Sequence, residues 1–416
     1  MGQKIEPKTR IKLDPVGQFY AAAITREEPG TFYVSAHLKE RLDTKILQEA
    51  VNDIMRRLPF LNGRLRRGFF WHYREIFAEP PQIAPASDFP AFSYFHDKGK
   101  GHMLRVLYGE RHFLVETTHC LCDGRALAKI TCALLARYFE LLGMAFDKGE
   151  IIDCSGIMQD GEAEDAIARH AGTLKAKETM DILKRYGEEQ KANQNNAVYS
   201  FGLSKPTAAR VITKKIDLGK IKLVAKAHGA TVSEYILAQI FAAIAGERAS
   251  RGGKQPISVM LPVDCRSLLP TKTLLNFAAG KTIAMPETDD FSEMLKSLKQ
   301  QFAQIDADFA LGSIVGLTFV LGLTRFLPLP VKKPILTKVF RSLNIAATFS
   351  NLGVVKLPKE IEDRLEMLEF VICPPKQEPY NFSCITTGDM LTFTAIVGVE
   401  GTDIADNVMQ ALEKLA

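Results

Sequence analysis

The chain has 416 residues, of which 46% are hydrophobic and 24% are charged. A single hydrophobic core stops growing near about 250–300 residues, so this length predicts two packed units. The composition is that of a globular protein and excludes a disordered or fibrous chain. The 53 basic and 48 acidic residues leave a net charge of +5 without a dense basic block, which argues against a nucleic-acid partner. A mixed, solvated surface explains this charge better than an anionic ligand does.

The N-terminus and the most apolar stretch give no sign of a leader or a membrane span. Residues 1–10 lack the apolar centre of a secretion signal, and Glu6 stands where a myristoylation signal has Ser or Thr. The stretch from Ala310 to Leu323 is interrupted by glycines and is shorter than the ~20 residues of a spanning helix. We predict that it is core or tunnel wall, with contact to a membrane surface as the alternative. Seven scattered cysteines are typical of a reducing compartment, and we expect a cytoplasmic protein.

The first half of the chain begins with a strand, a helix and a hairpin. Alternating apolar residues predict a strand over 32–38, and apolar residues at helical spacing predict a helix over 43–58. The segments 103–108 and 111–118 predict a hairpin that leads directly to His119. A long helix follows and ends at Gly143.

The middle of the chain, residues 146–200, is polar and is the best candidate for a crossover between two units. The second half then repeats the order of elements, with a strand over 208–216, a helix over 218–227 and a capping box at Thr231–Glu234 that opens a helix to Gly246. The later predicted elements are a strand over 257–262, a helix over 291–305, strands near 345, 368, 382 and 391, and a final helix over 404–412.

The most specific local signal is the hexapeptide His119-Cys-Leu-Cys-Asp123-Gly124 at a predicted strand-to-helix turn. Chance supplies about 0.06 such HxxxDG patterns in a chain of this composition. A histidine at the end of a buried strand can act as a general base, because its unperturbed pKa of about 6.5 lies near working pH. Asp123 can hold the turn through an ion pair, and Gly124 lets the backbone turn. A core histidine in an incidental turn explains the hexapeptide alone equally well.

Further segments extend this signal along the chain. Leu261-Pro-Val-Asp264-Cys-Arg266, with Asn276-Phe277 downstream, is similar to the P-V-D-x-R segment of the condensation and chloramphenicol-acetyltransferase superfamily. Ser350-Asn351-Leu352-Gly353 resembles the SNLG segment of its bacterial members, and Leu13-Asp-Pro with Arg56-Arg-Leu-Pro59 resembles the family's start. The resemblance spans nearly the whole chain and is closest to bacterial stand-alone alcohol acyltransferases.

This resemblance implies an α/β fold of two α+β two-layer lobes. The lobes would be two chloramphenicol-acetyltransferase-like subdomains that form a pseudodimer with a tunnel between them. The N-terminal lobe with HxxxDG would occupy residues 1–165, the crossover 166–200, and the C-terminal lobe with PVDxR and SNLG 201–416. We expect no tightly bound cofactor, with acyl-CoA as the donor substrate.

The resemblance also assigns roles to site residues. His119 would deprotonate an acceptor hydroxyl, which attacks a thioester carbonyl in the tunnel. The resulting oxyanion needs a hydrogen-bond donor. The residues expected to supply this donor or to contact substrate are Ser350, Asn351 and Gly353. Asp123 and Arg266 are expected to form a structural pair that joins the turn to the second lobe, rather than to catalyse. The other structural positions expected at the site are Gly124, Asp264 and Asn276.

Two departures from the family favour a stand-alone enzyme. Thr118 stands where condensation domains commonly carry a histidine, and the DFGWG signature of the plant enzymes is absent. We therefore expect transfer from acyl-CoA to a small-molecule alcohol. One alternative is a free-standing condensation-type enzyme that takes its acyl group from an acyl carrier protein and acylates an amine. The other is a non-catalytic homologue that binds a hydrophobic ligand or a partner protein.

The cysteines beside His119 do not predict a metal site. Cys120 and Cys122 have no second Cys/His cluster that would complete four ligands, so no metal is expected. A cysteine nucleophile is chemically possible, but direct transfer explains the motif without one.

Overall fold

The computed structural model describes residues 8–26, 28–86, 101–194, 209–285, 287–288, 290–341, 345–373 and 379–413. Within these residues the chain forms fourteen strands and twelve α-helices. The strands are β1 Arg10–Lys12, β2 Thr31–Leu38, β3 Gly63–Arg67, β4 His72–Ile76, β5 Ala84–Pro85, β6 Leu104–Tyr108, β7 His112–Thr118, β8 Arg210–Asp217, β9 Ile257–Asp264, β10 Ala278–Met285, β11 Ala347–Val355, β12 Leu365–Ile372, β13 Tyr380–Thr387 and β14 Met390–Val397. The helices are α1 Pro15–Ala23, α2 Thr44–Arg57, α3 Gly124–Leu141, α4 Ala166–Gly172, α5 Ala176–Gln194, α6 Leu218–Ala227, α7 Val232–Ser250, α8 Phe291–Phe302, α9 Ala307–Leu323, α10 Leu329–Arg341, α11 Lys359–Glu362 and α12 Ile404–Glu413.

The first sheet carries the strand that leads to His119. Its order is β12-β2-β7-β6-β5, and its pairs are antiparallel except for β5 beside β6. The predicted hairpin is β6–β7. Asp43 begins α2 by accepting from the backbone N–H of Lys45 and Ile46. Apolar residues of α2 and α3 join those of the sheet in one core cluster, so β7 runs through the middle of a covered sheet.

The second sheet has the order β10-β9-β11-β13-β14-β8, with β11 parallel to both β9 and β13. The predicted capping box is present at the start of α7, where the side chains of Thr231 and Glu234 each accept from the other's backbone N–H. Apolar residues of α6, α7, α8 and α12 pack with this sheet in a second core cluster. A small third sheet has the order β1-β4-β3. The two larger sheets, each with its own core, confirm the expected mixed α/β architecture.

One strand crosses from the second half of the chain into the first sheet. β12 pairs antiparallel with β2, so that Val371 lies opposite Tyr33. The two predicted lobes, 1–165 and 201–416, therefore do not each contain one complete sheet. β12 lies in the later range of the sequence but belongs to the first sheet. The range 166–194 of the predicted crossover contains the helices α4 and α5, and the rest of it, 195–200, lies outside the described residues.

The apolar stretch at Ala310 to Leu323 forms most of α9. Its inner residues Ala310 and Ile314 are buried in a small core cluster, as expected for core or tunnel wall. α9 packs against α1, α4, α5 and β10, and α10 packs against α1. Of the described helices, none is by itself long and apolar enough to cross a bilayer. Two pairs of helices that are bent at a short break, α6 with α7 and α8 with α9, are together long and apolar enough by length and composition alone.

Candidate active site

The HxxxDG residues form the turn between β7 and α3. Asp123 begins α3, and its Oδ1 accepts from the backbone N–H of Ala126 at 2.9 Å. At Gly124 a Cβ atom would lie 2.9 Å from Cζ of Phe370 on β12. Glycine at this position therefore permits the close approach of β12, and the turn holds His119 where β7 ends.

The imidazole of His119 has one defined tautomer. Its Nδ1 lies 3.1 Å from Oδ1 of Asn276. The amide Nδ2 of Asn276 donates to the backbone oxygen of His119 at 2.8 Å and to Oδ2 of Asp14 at 2.9 Å. A carbonyl oxygen can only accept, which fixes the orientation of the amide, and Oδ1 must then accept from Nδ1–H. The lone pair of the ring is therefore on Nε2.

Burial keeps this imidazole neutral. Burial lowers the pKa of His119 below its ordinary value, against the opposing effects of the Asn276 hydrogen bond and the Asp123 charge. The ring packs between two aromatic side chains, with centroids 4.4 Å from Tyr20 and 4.7 Å from Phe32. Within the described part of the chain Nε2 has no hydrogen-bond partner, and the ring lines a cavity. The neutral ring can therefore accept a proton at Nε2.

Asp14 belongs to this arrangement although sequence reasoning did not assign it to the site. Its Oδ1 accepts from the backbone N–H of Gly17 at 2.8 Å at the start of α1, and both carboxylate oxygens lie within 3.2 Å of Asn276 Nδ2. Burial raises the pKa of Asp14 to about 7. The available signal was the Asp14-Pro15 pair, which is typical of a helix start. That signal predicts a cap and says nothing about a contact with Asn276.

Arg266 joins the turn to the second sheet. Its Nη1 lies 2.9 Å from Oδ2 of Asp123 and 2.9 Å from Oδ1 of Asp264. Its other nitrogens donate to two backbone oxygens in the segment 273–275 at 2.9 and 2.7 Å. Asp123 Oδ2 also accepts from the backbone N–H of Phe277 at 2.7 Å. Asp123 is buried and the Arg266 side chain is 8% exposed, and each has several hydrogen-bond partners.

The segment Ser350–Gly353 lies at a bulge of β11, where Gly353 adopts φ +68°. Asn351 Nδ2 donates to Oγ of Ser233 at 2.9 Å, and its Oδ1 accepts from the backbone N–H of Gly353 at 2.8 Å. The N–H of Gly353 is thus engaged within the bulge, and the Asn351 amide uses one of its two N–H hydrogens on Ser233 of α7. Ser350 lines the cavity, and no described residue hydrogen-bonds with its hydroxyl.

A cavity of about 480 Å³ lies between the two sheets and brings these residues together. The first sheet contributes Phe32 and Phe370, and the turn contributes His119. The second sheet contributes Met260 and Ser350, and the helices α1 and α9 close another side. A mostly apolar cavity with a few convergent polar groups is typical of a small-molecule site.

The cysteines inside the turn are thiols at neutral pH. Burial raises the pKa of Cys120 to about 12 and that of Cys122 well above its ordinary value. In the described ranges there is no group of three or more His, Cys, Asp or Glu side chains that could hold a metal ion. The two sulfurs fill space in the core next to His119.

Solved structures with a similar fold match nearly the whole chain. Polyketide synthase associated protein 5 from Mycobacterium tuberculosis has 16% identity and a TM-score of 0.62 over 98% of each chain. The condensation domain of the monacolin K polyketide synthase MokA has 13% identity and a TM-score of 0.63 over 98% of this chain and 96% of its own. TRI3 trichothecene 15-O-acetyltransferase from Fusarium sporotrichioides has 13% identity and a TM-score of 0.63 over 98% of this chain and 94% of its own.

No family model and no curated protein matches the chain by sequence. At these identities the structural likeness shows the fold. The chain has the fold shared by condensation domains and chloramphenicol-acetyltransferase-like transferases, as the resemblance implied.

Proposed function

We propose that the protein is an acyltransferase that moves an acyl group from acyl-CoA to an alcohol, with His119 as general base. The observation that carries this proposal is the tautomer of His119, whose Nδ1–H is held by Asn276 while Nε2 is left for a ligand in the cavity. Nε2 takes the hydroxyl proton as the alcohol oxygen attacks the thioester carbonyl. A C–O bond forms, the C–S bond breaks, and the proton passes from Nε2 to the departing thiolate.

Ser350 is the best candidate for stabilising the oxyanion. Its hydroxyl lies in the cavity wall and has no described partner, whereas Asn351 and Gly353 hold the bulge beside it. A preorganised donor to a developing oxyanion contributes about 2.7–4 kcal/mol, or a factor of about 10²–10³ in rate. Asn351 and Gly353 would then place Ser350 rather than contact the oxyanion.

Asp123 and Arg266 would position the base without touching substrate. The second oxygen of Asp123 is shared by Arg266 and the backbone of Phe277, and the first caps α3. A carboxylate with these partners has no need to exchange a proton with His119. Their role in the reaction is to keep the β7–α3 turn against the second sheet.

The likeness to a condensation domain favours a second candidate. This second candidate is a condensation reaction, in which an acyl carrier protein presents the thioester and the acceptor is an amine. The same Nε2 of His119 would take the proton of the attacking nitrogen. The two candidates therefore differ in donor and acceptor and share the base.

Thiol release from thioesters tests the proposal. Acetyl-CoA, octanoyl-CoA and palmitoyl-CoA are offered with a panel of alcohols, and the matched donors on an acyl carrier protein are offered with amines. We expect turnover with a CoA ester and an alcohol, and loss of this turnover in His119→Ala. The exposed histidine His228 provides the control variant His228→Ala, which should retain the wild-type rate.

The outcomes separate the candidates. Turnover with carrier-bound donors and none with CoA esters would replace the proposed donor by a carrier protein. Equal rates in wild type and His119→Ala would remove the catalytic role of His119. Binding of an acyl chain without transfer across the whole panel would show a ligand-binding protein instead of an enzyme.

A further inference from the structure

An unusual share of the exposed apolar side chains lies on one face of the molecule, formed by α9, α10 and the β3–β4 hairpin. Fourteen large hydrophobic residues are exposed in the described ranges, and eight of them belong to these three elements or to the connection between α9 and α10. On α9 and just beyond it, Phe319, Leu323 and Phe326 are 49%, 70% and 82% exposed. Monomeric proteins rarely leave so large an apolar surface without a partner.

The helix α10 continues this surface. Val331, Ile335 and Val339 are four residues apart, so they lie along one face of the helix, and each is 42–50% exposed. The opposite face packs inward through Leu329 and Leu336, which are buried in a cluster with α1. The exposed stripe is therefore a regular feature of the helix and not the result of a frayed end.

The tip of the β3–β4 hairpin is fixed next to α10. Phe69 and Phe70 are 70% and 42% exposed, and the backbone oxygen of Phe69 accepts from the N–H of Leu329 at 2.9 Å. The ammonium of Lys332 donates to the backbone oxygen of Phe70 at 2.8 Å and lies 3.0 Å from the ring centroid of Trp71. These contacts join the hairpin tip to α10, and Leu321 of α9 shares a buried cluster with Leu329 and Leu336 of α10. We call the exposed apolar side chains of these neighbouring elements the apolar rim.

The charges around the apolar rim have one sign. From Phe309 to Pro358 the sequence contains no acidic residue. Arg325 and Lys338 are exposed beside the rim, Lys333 is half-buried next to it, and Arg67 is exposed at the hairpin. An apolar surface with aromatic residues and basic neighbours is complementary to the interface of an anionic lipid bilayer. A second copy of the same surface would bring like charges together, which disfavours self-association.

We propose that the apolar rim docks on the surface of an anionic membrane. Phe319, Leu323, Phe326 and the hairpin tip would enter the headgroup region, and Arg325 and Lys338 would contact the lipid phosphates. Docking also places the cavity close to lipid, because α9 exposes Phe319 on one side while Ile314 and Leu317 line the cavity on another. This goes beyond acyl transfer itself and does not depend on it.

Cosedimentation of the full chain with vesicles tests the docking. Vesicles of phosphatidylcholine alone are compared with vesicles of phosphatidylcholine and phosphatidylglycerol in equal parts. We expect binding to the anionic vesicles that weakens with salt. The triple variant Phe319→Ser, Leu323→Ser, Phe326→Ser should bind at least about tenfold more weakly. The matched control changes three exposed apolar residues elsewhere and should bind like wild type: Ile157→Ser, Leu223→Ser and Met390→Ser.

A charge variant keeps the test valid if the triple variant is unstable. Arg325→Gln with Lys338→Gln should weaken binding to anionic vesicles by about fivefold for each residue, and Lys222→Gln with Lys226→Gln on α6 should not. Thermal unfolding and turnover of a soluble thioester verify that each variant is folded. Absence of wild-type binding to anionic vesicles, or equal loss in the control variants, would overturn the proposal. If the wild type is a dimer, the triple variant is a monomer and neither binds vesicles, the apolar rim joins two copies of the chain. That result would also overturn the membrane proposal.

Discussion

Removal of the Asn276 side chain should slow proton transfer more than it weakens substrate binding. In Asn276→Ala the Nδ1–H of His119 loses the oxygen that lies 3.1 Å away in the native protein. When Nε2 takes the proton, this hydrogen bond has a charged donor, and such bonds contribute about 1.5–3 kcal/mol. This range converts to a decrease in kcat of about 10- to 150-fold, with KM within about twofold of the wild-type value.

The pH dependence of the same reaction separates positioning from general damage. Since burial lowers the pKa of His119 below its ordinary 6.5, wild-type kcat/KM should decline with acid only below that pH. Asn276→Asp places a carboxylate beside Nδ1, which favours the protonated ring, so the decline should begin at a higher pH. A residue with a purely structural role would lower the rate without moving this inflection.

The assay is steady-state thiol release with the donor and alcohol that give turnover in the wild type, and His119→Ala sets the lower limit. A kcat of Asn276→Ala within about twofold of wild type would refute the reasoning. Thermal unfolding shows whether the variant is folded. If Asn276→Ala is not folded, the pH dependence of kcat/KM in Asn276→Asp is the test. An inflection at the same pH as in the wild type would refute the reasoning.

Three further predictions concern the same site. Ser350→Ala should lower kcat by about 10²–10³ in the thiol-release assay if its hydroxyl meets the oxyanion, and an unchanged kcat would remove that role. Arg266→Ala should lower the free energy of unfolding in urea by about 3–5 kcal/mol, because Asp123 keeps a buried charge without its partner; a loss below about 1 kcal/mol would contradict this. Burial raises the pKa of Asp14 to about 7 from 3.8, so the folded chain holds a proton that the unfolded chain releases in this range. The stability from this proton is complete below about pH 4 and is lost as the pH rises to about 7, so Asp14→Asn should flatten the decline of unfolding free energy between those values.

Single elements were predictable because their signals lie within a few residues. The capping box at Thr231–Glu234 has both of its hydrogen bonds, and α2 begins at Thr44, within one residue of the predicted start of the helix. The partner of β12 was not predictable. Its sequence, Leu365–Ile372, is apolar enough for either sheet, and periodicity does not specify which strand lies beside it.

The site was predictable at the turn and not across the cavity. HxxxDG indicated the position of His119 at the turn between a strand and a helix, because this position follows from the order of strand, turn and helix. The contact between Asp14 and Asn276 joins positions 262 residues apart, and neither residue carries a periodic signal. Asn351 lies in the expected segment, but its amide oxygen accepts a hydrogen bond from the backbone N–H of Gly353. A local sequence pattern does not reveal this contact.

The connection between β9 and β10 explains why the proposed base lies at the junction of the two sheets. Arg266 and the backbone of Phe277 hold Asp123 at one end of the β7–α3 turn, and Asn276 holds His119 at the other. Separation of this connection from β7 would remove the partner of Nδ1 and the partner of Asp123 together. The imidazole would then lose its fixed tautomer, and Asp123 would lose its counterion. The proposed proton acceptor therefore exists only while the two sheets are docked, and the same contacts that define the base also hold the sheets together.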